Sequence, residues 1–75
     1  MNIETIRTHT RRMPFRPFEL HLSDGRILPV PHSEFVLFTP SGDDFVVADA
    51  ENALNVVSAD AVTRLKLLPR AKVQK

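Results

Sequence analysis

The chain predicts a mainly β domain: an N-terminal short helix followed by a five- or six-stranded, strongly bent antiparallel sheet or small barrel. Three observations carry this expectation. Short apolar or alternating segments recur through residues 18–68, bounded by proline, glycine, aspartate and asparagine. Their spacing of about 8–12 residues leaves no room for helical crossovers between strands. Only the first 13 residues set apolar side chains at a clear helical interval.

The helix is expected over residues 2–13. Asn2 is a favourable N-cap and Glu4 lies in the first turn, where a negative charge suits the helix dipole. Ile3, Ile6, Thr10 and Met13 form one stripe, while Arg7, Arg11 and Arg12 fall away from it. Pro14 ends the helix by pushing the preceding residue toward extended geometry. Residues 13–18 then read as a stiff connector whose Phe15 and Phe18 anchor the helix to the body.

Phe18-Glu19-Leu20-His21-Leu22 alternates apolar and polar and is the clearest strand. Ser23-Asp24-Gly25-Arg26 is a hairpin turn, and Ile27-Leu28-Pro29-Val30 is the returning strand. Pro29 lacks an amide hydrogen, which places that strand at an edge or a bulge. Pro31-His32-Ser33 bends the chain into a third strand, Glu34–Phe38, apolar on both faces. A turn at 39–43 leads to a fourth strand at Asp44–Ala48, and Asp49–Asn52 to a fifth at Ala53–Val57. Residues 58–61 suggest a short helical turn. For 62–68 a strand is preferred over a two-turn helix capped by Asp60, because a short isolated helix is weak. Residues 1–69 thus form one domain, and 70–75 a basic flexible tail.

A domain of 75 residues buries only about 60% of the surface its unfolded chain exposes, so it usually needs a staple. There is no cysteine, hence no disulfide framework and no thiolate metal site. His9, His21 and His32 are too far apart in sequence for a compact ligand set, so no metal and no cofactor are expected. A homo-oligomer is the remaining staple. The start of the chain carries an acid and no apolar run, and no stretch reaches membrane-spanning length. A cytoplasmic protein without membrane attachment is expected.

No set of nucleophile, base and oxyanion donor can be assembled, so the chain is not expected to be an enzyme. Ser23, Ser33 and Ser41 lie in turns, Asp24 precedes the turn glycine, and Asp43-Asp44 lacks the spaced oxygens of a calcium loop. Two patterns remain. Arg7, Arg11, Arg12 and Arg16 could meet nucleic-acid phosphates or a partner. Phe35, Val36, Leu37 and Phe38 do not alternate, which marks a strand covered on both faces or a possible subunit interface. Charge is unevenly spread: residues 34–60 hold six acids and no lysine or arginine, and 61–75 hold five basic residues and no acid.

The helix, the Leu20-His21-Leu22-Ser23-Asp24-Gly25-Arg26 segment and the short strands that follow resemble the Sm-like/SH3-like small barrels. That resemblance implies a capping helix on a bent five-stranded sheet and pairing of edge strands between subunits. RNA binding by the basic N-terminal helix is a further possibility it raises. The Pro14-Phe15-Arg16-Pro17-Phe18 opening, the Leu22–Arg26 turn and Val30-Pro31-His32-Ser33-Glu34-Phe35 also resemble a group of small uncharacterised bacterial proteins. This second resemblance implies a bacterial cytosolic protein and no particular activity. The expected function is a non-catalytic interaction module that self-associates and could also take a protein partner. The alternative is an Sm-like RNA-binding protein.

Overall fold

The computed structural model describes residues 1–40 and 42–69. One helix, α1 (Ile3–Arg11), precedes six strands: β1 (Phe18–Leu22), β2 (Ile27–Val30), β3 (Val36–Phe38), β4 (Asp44–Ala48), β5 (Leu54–Ser58) and β6 (Val62–Leu67). The strands form two three-stranded antiparallel sheets, ordered β2-β1-β6 and β3-β4-β5. Among the described residues no ladder joins the two sheets into a closed barrel.

α1 begins where the Asn2 side-chain oxygen accepts the Glu4 amide hydrogen at 2.7 Å, satisfying one of the donors a helix start leaves free. It ends at Arg11, shorter than the predicted 2–13 because Arg12 is already extended. Pro14 follows a cis peptide bond. Ile6 and Thr10 are buried on the inner side of the helix. The Thr10 hydroxyl donates to the Ile6 carbonyl at 2.8 Å, so its burial leaves no unmade bond.

The β1–β2 hairpin follows the predicted residues. Gly25 has φ +92°, a conformation that side chains with a Cβ adopt only at a cost. The Asp24 carboxylate accepts the Arg26 backbone N–H and its Nε–H, each at 3.0 Å. Pro29 sits on β2, which pairs with β1 alone, so its missing donor faces an unpaired edge.

The third strand is shorter than predicted. Ser33–Phe35 forms a 3-10 turn, and only Val36–Phe38 pairs with β4. The Phe35 amide donates to the His32 carbonyl at 3.1 Å, which removes it from the ladder. The fifth strand is displaced by one residue, to Leu54–Ser58. Asn52, at φ 66°, closes the turn before it. Ala59–Ala61 forms the short helical turn expected at 58–61, a 3-10 turn capped by the Ser58 hydroxyl. Residues 62–67 then extend as a strand. The predicted tail at 70–75 lies outside the described residues.

The core collects Phe18, Leu20 and Leu22 from β1, Leu28 and Val30 from β2, Phe45 and Val47 from β4, and Val57 from β5. Ile6 closes it from the helix, and Ala59 and Val62 complete it where the chain passes from β5 to β6. Residues two apart on a strand share a face, so the clean alternation of β1 and β4 produces this inward set. Backbone bonds tie the ends together: Ala59 N–H donates to the Asp43 carbonyl at 2.8 Å, and Leu68 N–H to the Pro17 carbonyl at 3.0 Å.

Candidate interaction surfaces

The outer faces of the two sheets differ in chemistry. On the first, Glu19 stands opposite Lys66 and His21 opposite Arg64. His21 Nε2 lies 3.2 Å from the Glu19 carboxylate. Ile27 and Pro29 are the apolar members of this otherwise charged surface. It is the hydrated exterior expected of a one-sided antiparallel sheet.

The second sheet is apolar outside as well as inside. Leu37 pairs with Val46, and Val46 with Val56, so three branched aliphatic side chains cross the whole sheet in one row. The adjacent row adds Ala48 and Leu54. Leu37 is 69% exposed, Leu54 71% and Val56 75%, while Val46, flanked on both sides, is half-buried. The sequence pattern causes this. Consecutive residues on a strand point to opposite faces, so the doublets Val46-Val47 and Val56-Val57 each put one valine in the core and one outside. Among the described residues that pair in this sheet, the one charge on the outer face is Asp44, at its corner opposite Ser58.

The predicted interface residues 35–38 therefore divide. Val36 and Phe38 are half-buried against the core, and so is Phe35 from the 3-10 turn, whereas Leu37 is exposed. Val46, Leu54 and Val56 escaped the sequence reading, which looked for one unbroken apolar run. Adjacent apolar doublets on two further strands carried the missing signal.

Two of the four arginines are engaged within the chain. Arg7 pairs with Glu4 one helical turn earlier, and its guanidinium stacks 5.2 Å from the centre of the Phe38 ring. Arg16 Nε–H donates to the Leu68 carbonyl at 3.0 Å, tying the connector to the end of β6. Only Arg11 and Arg12 remain exposed at the end of α1, where they line a groove with Met13, Phe15 and β3.

Among the described residues, no group of three or more histidines and acids is arranged to hold a metal. His9 Nδ1 is a buried atom without a hydrogen-bond partner, although the residue as a whole is half-buried. Two carboxylates have lowered pKa values, and both belong to turns. Asp49 is held below the ordinary 3.8 first by the Asn55 side-chain amide and then by the Ala53 and Glu51 backbone N–H groups. Asp24 is lowered chiefly by the Arg26 backbone N–H. Both are turn-forming acceptors, which accounts for their shifts without invoking chemistry. Among the described residues, no helix is long and apolar enough to cross a membrane.

Compared with known proteins, the chain matches no family model, no curated protein and no solved structure.

Proposed function

We propose that this chain is a non-catalytic, self-associating interaction module of the Sm-like/SH3-like small-barrel type, acting in the bacterial cytoplasm. The chain path supports the barrel reading. β2 runs through one 3-10 turn into β3, β5 runs through another into β6, and β6 returns to pair with β1.

The observation that carries self-association is the uncovered row Leu37–Val46–Val56, extended by Leu54. Contiguous apolar patches on a small protein mark contact sites. The occupant that best suits this one is a second copy of the same face. It is nearly uncharged, so two copies can meet without burying like charges, and sheets stack readily face to face. A protein this small also gains most from a neighbour that hides apolar surface.

Sedimentation velocity across a concentration series tests the reading. The expected result is a dimer or larger species at micromolar concentration that dissociates in Val56→Glu, with unchanged far-UV circular dichroism. A wild-type chain that stays monomeric would refute it. RNA binding through the basic helix has less support, because Arg7 and Arg16 are engaged within the chain. A flat polarisation response to single-stranded RNA at low salt would remove that alternative.

A further inference from the structure

The groove at the end of α1 combines three properties. One wall is a strand edge: β3 is hydrogen-bonded to β4 and to no other strand among the described residues. Its lining is largely apolar, from Val36, Phe38, Phe15 and Met13. Arg11 and Arg12 also line it, both exposed and neither in a hydrogen bond or ion pair among the described residues. Among the described residues no acidic side chain lines it, and its volume is about 420 Å³.

We infer that this groove binds a short, extended peptide of another protein, in which apolar residues alternate with aspartate or glutamate. The peptide adds as a strand to β3. Along this edge the Val36 N–H already donates to the Ser33 carbonyl, so an incoming strand pairs with the donors and acceptors that remain, and such pairing supplies affinity without regard to sequence. Selectivity comes from the period of two in an extended chain. One set of side chains enters the apolar groove, and the carboxylates of the other set reach the guanidinium groups. β3 is three residues long, so the paired stretch spans only about 10 Å at about 3.3 Å per residue. The site therefore reads a short linear motif rather than a folded surface. Charge selects the occupant: two exposed guanidinium groups lining an apolar cleft favour a carboxylate-bearing partner, since such hydrogen bonds are charge-assisted on both sides. The site is separate from the Val46–Val56 rows and shares only Leu37 with them.

The test uses the full chain and a fluorescein-labelled peptide of alternating valine and glutamate. A valine–lysine peptide and an oligouridylate serve as competing probes. Fluorescence polarisation is expected to report binding of the glutamate peptide that weakens as salt is raised. Arg11→Gln/Arg12→Gln should weaken it about tenfold or more. Amide chemical shifts of the wild-type chain should move at Val36–Phe38, a readout that holds even if the double variant folds poorly. The single variant Arg12→Gln, just beyond the helix, should weaken binding in the same direction. Equal binding of the lysine peptide, stronger binding of the oligouridylate, absence of glutamate-peptide binding, or shifts confined to the outer Val46–Val56 face would each overturn the inference.

Discussion

Replacing Ile6 by alanine tests whether α1 belongs to the core or merely lies on it. The helix has nine residues, below the length of about 12–15 at which isolated helices become even marginal. Its persistence therefore depends on what it buries, and Ile6, fully enclosed, is its principal anchor. Truncating a buried isoleucine to alanine costs about 2–5 kcal/mol, from lost transfer energy and the cavity left behind. A 75-residue domain has a total of roughly 4–11 kcal/mol at the usual stability per residue. A loss of about 3 kcal/mol, near the middle of the range for the substitution, would thus take a large share of the total. Without tryptophan or tyrosine in the chain, far-UV circular dichroism in a urea titration is the practical assay. With a slope of about 1 kcal/mol per molar for so small a protein, the midpoint should fall by roughly 3 M. Both proteins must be compared at one concentration, because self-association adds to apparent stability. Thr8→Ala, on the exposed side of the same helix, should change stability by no more than about 0.5 kcal/mol. A loss below about 1 kcal/mol for Ile6→Ala, at unchanged slope, would refute the core assignment of the helix.

The turns give further tests. Gly25→Ala should cost about 1–2 kcal/mol by thermal or urea unfolding, purely through its left-handed backbone, since nothing lies within 4 Å of an added Cβ. Asn52→Gly, at φ 66°, should stay within about 0.5 kcal/mol of wild type, because asparagine already tolerates that region. The lowered pKa values of Asp24 and Asp49 make the folded chain bind their protons less tightly than the unfolded chain does. Their contribution is complete above the ordinary carboxylate value of 3.8 and is lost as pH falls through the lowered folded values. Asp49→Ala should be less stable than wild type at neutral pH and show a shallower loss on acidification; parallel urea midpoints at every pH would contradict this. On the proposed self-association, Val56→Glu should sediment as a monomer without lowering the stability of the subunit, because that side chain is already solvent-facing.

Much of the fold was legible because its signals are local. The Asn2 cap, the Pro14 stop, the alternation of Phe18–Leu22 and the Asp24-Gly25 turn each act over a few residues, and each has the predicted structure nearby. Pro29 limited β2 to an edge or a bulge, and β2 lies at the edge of its sheet. The errors lie where a choice depends on the partner. Glu34 and Phe35 are compatible with a strand, but the chain bends there to carry β2 in one sheet into β3 in the other. That demand arises from packing two sheets over one core.

The candidate surfaces show the same division. The sequence by itself determined that Phe35–Phe38 is too apolar for an ordinary one-sided strand and that four arginines, Arg7, Arg11, Arg12 and Arg16, fall in or just after the helix. Only the tertiary structure decided that Leu37 is left outside, that Val46 and Val56 align with it, and that Arg7 and Arg16 are occupied. Periodicity along one strand states which residues share a face. Register between strands, and the covering of one face by another element, are contacts between distant segments, so no local pattern records them.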